Sequence, residues 1–103
     1  MNEIQLKLNS NNRGEFAVDE NGERLAEMAI GIQAQHLIVY HTQVSEKLRG
    51  QNMGKQLIQK MTEYARGNHL KVVPLCPFVA GQFKRYEAEY SDIWEKNYKD
   101  ISI

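Results

Sequence analysis

The sequence predicts an α/β (α+β) fold in which antiparallel strands lead into a strand–helix–strand crossover. Three observations carry this. Asn21-Gly22 stands between two strand-like segments, as a tight hairpin turn does. Leu37-Ile38-Val39-Tyr40 is a continuous apolar, partly β-branched run suited to a strand covered on both faces. Leu57, Ile58, Met61, Tyr64 and Ala65 then recur at helical spacing before a short apolar strand at residues 70–73.

Taken in order, Ile4, Leu6 and Leu8 alternate with Gln5 and Lys7 and end in Asn9-Ser10-Asn11-Asn12, a strand and a turn. Glu15-Phe16-Ala17-Val18 reads as the next strand, and Asn21-Gly22 tolerates the positive φ that a two-residue turn needs. The returning segment, residues 23–31, contains helix formers in Leu25-Ala26-Glu27-Met28-Ala29-Ile30. It is read as a strand because the turn demands an antiparallel partner. Residues 35–44 are expected to be the central strand, and a helix is expected from Met53. Lys55, Gln56, Gln59, Lys60 and Glu63 supply the polar face of that helix. Arg66-Gly67-Asn68 should end it, with the glycine as a left-handed cap. The strand at residues 70–73 should run parallel to residues 35–44 through a right-handed connection. Pro77 suits the first position of a second helix reaching about Tyr86, anchored by Phe78, Val79 and Phe83. Tyr86, Tyr90, Trp94 and Tyr98 recur every four residues, as in a further helix that packs an aromatic stripe on the core.

Composition bounds the function. A chain of 103 residues with 42% hydrophobic and 25% charged residues is expected to form one domain, residues 1–103, with a core over about residues 4–90 and a C-terminal aromatic segment at 91–103. Thirteen Lys plus Arg balance thirteen Asp plus Glu, which argues against general nucleic-acid binding and against attraction to an anionic membrane. No apolar run approaches the roughly 20 residues of a membrane span, and the start lacks a signal-peptide pattern, so a cytoplasmic location is expected. The single Cys76 excludes an internal disulfide, and His36, His41 and His69 show no metal-ligand spacing, so no metal is expected. A monomer or weak homodimer is expected.

Two segments carry chemistry. Leu48-Arg49-Gly50-Gln51-Asn52-Met53-Gly54-Lys55 joins the apolar strand to the helix, and a Gly-bearing helix start of this kind offers unpaired N–H groups and a positive dipole end to an anion. Most such junctions in proteins are plain loops. Pro74-Leu75-Cys76-Pro77-Phe78 places a lone thiol at a helix N-terminus, where the thiolate is favoured; a buried structural cysteine is the equal alternative.

Together, Val39-Tyr40-His41-Thr42-Gln43-Val44, Gly50-Gln51-Asn52-Met53-Gly54 and Lys71-Val72-Val73-Pro74-Leu75-Cys76-Pro77-Phe78 resemble a small single-domain subfamily of the GNAT superfamily, the acetyl-CoA-dependent N-acetyltransferases. That subfamily carries an H-T-x-V strand end, a G-Q-x-x-G turn and a V-P-L-C-P-F segment in this order. The resemblance implies a compact GNAT fold: a mixed, mostly antiparallel sheet with a splayed parallel pair, flanked by two to three helices. It implies acetyl-CoA in the splay, with Thr42, Gln43 and Val44 meeting the pantetheine arm where they diverge from Val72-Val73-Pro74. The pyrophosphate would lie on Gln51, Asn52, Met53, Gly54 and Lys55. One departure is Gln56, where the superfamily pattern prefers Gly or Ala.

An N-acetyltransferase acting on an unidentified amine is therefore expected, with Cys76 and His41 as the catalytic candidates. Cys76 can accept the acetyl group or act as an acid towards the CoA sulfur, while direct attack by the amine needs neither role. A histidine can hold or shuttle a proton, and His41 stands at the strand end, although a structural histidine reads equally well. A backbone N–H of the 35–44 strand is the expected oxyanion donor. The competing reading is a CoA-binding module without catalysis, since so short a chain leaves little to build an acceptor pocket. Redox sensing by Cys76 is a weaker third.

Overall fold

The computed structural model of the chain describes residues 3–97. Five strands, β1 (Gln5–Leu8), β2 (Arg13–Glu20), β3 (Glu23–Gln33), β4 (His36–Val44) and β5 (Lys71–Pro74), form one sheet in that order. The first four are mutually antiparallel, and β5 lies parallel to β4. Helix α1 (Met53–Gly67) fills the crossover; α2 (Pro77–Arg85) and the short α3 (Glu87–Tyr90) follow β5.

The Asn21-Gly22 turn has φ of 53° and 80°, the two left-handed positions of a hairpin whose twist matches its strands. It holds β3 as a strand against the helix preference of its residues. Leu25, Ala26, Met28 and Ile30 are buried, and β3 has a hydrogen-bonded neighbour on each side, which a helix there would forfeit. Residues 35–44 are not the central strand: β3 holds that place and β4 is fourth of five. The apolar run reported burial rather than position. Leu37, Ile38 and Val39 are at most 1% exposed because β4 is paired on both edges and covered on both faces.

Two bulges set the faces of the sheet. Leu25 has no partner between the Val18–Ala26 and Asp19–Arg24 pairs, and Tyr40 has none between Ile30–Val39 and Ala29–His41. After Tyr40 the alternation shifts by one residue. Val39 and Thr42 therefore face the helices with their partners Ile30 and Met28, whereas Tyr40 and His41 face the other side with Ala29 and Glu27.

Against the helix side of the sheet, α1 packs Met53, Leu57, Ile58, Met61 and Ala65, and α2 packs Val79 and Phe83. The end of α1 differs from expectation. Gly67 is its last helical residue and the left-handed position is His69, with φ of 57°. The His69 and Leu70 N–H groups donate to the carbonyls of Arg66 and Ala65, a Schellman closure with histidine in the usual glycine place.

The aromatic residues near the C-terminus do not share one helix face. Helix α3 stops at Tyr90, and residues 93–95 run extended along the outer edge of β5. There Val72 N–H donates to the Ile93 carbonyl at 2.6 Å and Glu95 N–H to the Val72 carbonyl at 2.9 Å. Leaving the helix satisfies a strand edge that would otherwise carry open donors and acceptors. Tyr90 and Trp94 still reach the core, one stacked on Phe83 at 4.5 Å and the other edge-on at 5.8 Å, while Tyr86 is exposed. Tyr98 lies outside the described residues.

Candidate functional site: the splay between β4 and β5

The β4–β5 ladder ends at Val39 and Pro74, so residues 72–74 do not diverge from β4. They pair with Leu37, Ile38 and Val39, and the chain parts from β4 only at Leu75. Proline explains the break: Pro74 has no N–H, and the Leu75 and Cys76 N–H groups both turn back to the Val39 carbonyl at 3.0 Å. Beyond that point residues 40–44 keep β3 on one edge and have no β5 partner on the other, which leaves strand donors and acceptors open to a ligand.

At the far end of the splay stands the turn. Gly50 has φ of 83°, and Asn52 caps α1 in the left-handed conformation (φ 53°, ψ 37°) without a side-chain cap. The first intrahelical bond of α1 is Gln56 N–H to the Asn52 carbonyl at 3.0 Å, so the N–H groups of Met53, Gly54 and Lys55 precede the ladder and lack intrahelical partners. Gln56, the departure from the superfamily pattern, folds back: its Nε2 donates to the Gln51 carbonyl at 2.7 Å and braces the turn. Gly54 faces Phe78. A Cβ built there would come within 2.8 Å of the Phe78 Cζ. Phe78 is thus no core anchor; it is 41% exposed and forms one wall of a cleft of about 380 Å³ with Thr42, Val44, Asn52, Gly54 and Lys55.

Of the candidates for chemistry, the fold brings Cys76 and Thr42 together, with Sγ and Oγ1 3.5 Å apart. Cys76 caps α2 and Pro77 takes its first position, as the sequence predicts. Cys76 is nevertheless only 3% exposed, and it is Thr42, in contact with its sulfur, that lines the cleft. His41 is on the opposite face of the sheet, exposed, with Nε2 3.2 Å from Glu27 Oε2. Gln43 pairs with Glu27 in register and shares that face. His36 contacts Glu95 at 3.1 Å, and that contact holds the Glu95 carboxyl below its usual range. Sequence reading missed Phe78 as a cleft wall and Glu27 as the partner of His41. Only the register across the β4 bulge reveals the second.

Comparison with known proteins gives the same architecture. The sequence model of the GCN5-related N-acetyl-transferase family matches residues 13–93. No curated protein matches the chain. Among solved structures, the chain is similar to the NMR solution structure of a "GCN5-like putative N-acetyltransferase" from Staphylococcus aureus. The two are 29% identical over 93% of this chain and 95% of the other, with a TM-score of 0.67. The match spans the turn, the splay and α2, so the chain belongs to the GCN5-related N-acetyltransferase family.

Proposed function

We propose that the protein transfers the acetyl group of acetyl-CoA to an amine. The observation that carries this reading is the coincidence, in one cleft, of an unpaired strand edge at one end and free helix N–H groups at the other. The residues present fit a CoA thioester. The open edge of residues 40–44 offers peptide-like partners to the amides of the pantetheine arm, and Val44 and Phe78 offer apolar walls. The N–H groups of Met53, Gly54 and Lys55, with the Lys55 ammonium, receive the pyrophosphate. Gln51 and Asn52 shape that turn, and the backbone of Thr42 and Gln43 lines the edge. When bound, acetyl-CoA supplies an activated acetyl thioester.

In this reading Cys76 takes up the acetyl group on Sγ, the CoA sulfur leaving with the thiol proton. Thr42 Oγ1 orients Sγ, and Cys76 stands at the N-cap of α2. His41 removes the proton of the incoming ammonium on the opposite face. The free amine displaces the acetyl group from Cys76, and its second proton returns to the sulfur.

Titration calorimetry with acetyl-CoA tests the reading at its root. We expect saturable binding; none at millimolar ligand overturns both transfer and simple CoA binding. Mass spectrometry then tests the relay. We expect an acetyl adduct on Cys76 in the wild type and none in Cys76→Ala. A wild type that turns over without an adduct replaces the relay by direct attack of the amine.

A further inference from the structure

The face of the sheet turned away from α1 and α2 carries a hollow of about 520 Å³, lined by residues of β1, β2, β3 and β4 with Arg13 and Tyr40 at its centre. We propose that this hollow is the acceptor site and that Arg13 reads a carboxylate on the acceptor, which makes the substrate an amine with a carboxylate several bonds away. The proposal rests on the acetyltransferase reading for the transfer itself. The binding of such a compound stands on the hollow alone.

Charge accounting on this face singles out Arg13. Lys7 is paired with Asp19 at 2.7 Å, and Arg24 is paired with Asp19, Glu27 and Glu15. Among the described residues the Arg13 guanidinium forms no ion pair and donates no side-chain hydrogen bond. It is held by other means. Its backbone N–H donates to Asn9 Oδ1 at 3.1 Å, and its guanidinium carbon lies 4.7 Å from the centre of the Tyr40 ring. Gly31 beneath them makes the arrangement possible, since a Cβ there would meet the Tyr40 hydroxyl at 3.1 Å and Arg13 Cδ at 3.2 Å. A guanidinium carried over an aromatic ring without an ion-pair partner keeps N–H donors for a ligand, and its planar fork matches a carboxylate.

The hollow also ends where chemistry is proposed. Tyr40 is the bulge residue and the first residue past the last β4–β5 pair, so it stands at the head of the splay. The same bulge turns His41 to this face, beside Glu27. An acceptor anchored on Arg13 therefore points its far end towards His41. Arg13 is on β2 opposite Gly31 and His41 on β4 opposite Ala29, two strand spacings across and two residues along the sheet, roughly 12 Å apart at the backbone. The lean of Arg13 onto Tyr40 shortens the span, and an α-amino acid is too short to bridge it. An ω-amino carboxylate of lysine-like length fits, with its ammonium against the Glu27–His41 pair and its carboxylate on Arg13.

The probes are 6-aminohexanoate and hexylamine, which share a chain and differ in the carboxylate. In NMR titrations of the wild type, 6-aminohexanoate should shift the amides of Arg13, Gly31 and Tyr40 and bind about tenfold more tightly than hexylamine. Arg13→Gln should remove the difference and Arg13→Lys should keep part of it, with thermal melting reporting that each variant is folded. Equal affinities for the two amines, or a preference that survives Arg13→Gln, overturns the proposal. Acetyl transfer should show the same tenfold preference, and equal transfer to both amines overturns the proposal as well. Failure of acetyl-CoA to bind while 6-aminohexanoate still binds through Arg13 supports the hollow and sinks the transferase reading alone.

Discussion

Gly54 shows how one residue is claimed by two demands. It sits in the first turn of α1, where alanine in place of glycine is worth up to about 1 kcal/mol, yet its Cβ would meet the Phe78 ring at 2.8 Å and 3.0 Å. The ring is 41% exposed and free to swing, so the clash is relieved at small cost. Gly54→Ala should therefore leave stability within about 0.5 kcal/mol of the wild type, as for a surface change. The same Cβ occupies the cradle offered to a pyrophosphate, and acetyl-CoA affinity should fall on the order of tenfold. Calorimetric titration checks this, and Phe78→Ala in the Gly54→Ala background separates the causes. If affinity returns, the ring had blocked the cleft; if it stays low, the backbone needs the glycine. At the other end of the site, Cys76 keeps its sequence-predicted place at the helix N-terminus, but its burial was invisible locally. That burial depends on β4, whose Thr42 covers it from far along the chain.

Among the elements, the segment after α3 is the least secure, because the ties that fix it include screened charges. Arg66 reaches from α1 to both carboxylate oxygens of Asp92 and to the Glu89 carbonyl, which holds the Asp92 carboxyl below its usual range. Glu95 is lowered in the same sense, chiefly by His36. A carboxyl lowered in the folded state stabilises it fully above its unfolded value and loses that contribution as pH falls through the folded value. The attachment of residues 93–95 to β5 should thus weaken below about pH 4, not at neutral pH. The Arg66–Asp92 pair is exposed and the His36–Glu95 pair is half-buried at the surface, so the loss is small for global stability. It is readable locally because Trp94 is the only tryptophan. Its emission should shift to the red between about pH 4 and pH 2 while helical circular dichroism holds. The shift should diminish in an Asp92→Asn, Glu95→Gln variant, and an unchanged shift there removes these ties as its cause.

For the molecule as a whole, the core between sheet and helices carries the stability, and Phe83 closes it. Its ring is fully buried between Tyr90, stacked at 4.5 Å, and Trp94, edge-on at 5.8 Å. Phe83→Ala should cost about 3–5 kcal/mol, a large part of the roughly 5–15 kcal/mol expected of such a domain, whereas the exposed Phe78→Ala should cost under about 1 kcal/mol. Urea unfolding of the two variants measures the contrast, and equal midpoints would contradict the packing described. The sequence grouped these two phenylalanines as anchors of one helix, since spacing tells which residues share an element but not which neighbour arrives opposite each.

The sequence by itself determined the strand order along the chain, the Asn21-Gly22 hairpin, α1, the proline-led start of α2 and the motifs of the family. All of these follow from interactions within a few residues: turn dihedrals, periodicity, missing N–H groups. Only the tertiary structure decided that β3 is central, that residues 93–95 edge the sheet, and that Cys76 and His41 stand on opposite faces. Those outcomes depend on pairing between distant segments, and a single unpaired residue, Tyr40, reverses the faces of every residue after it in β4.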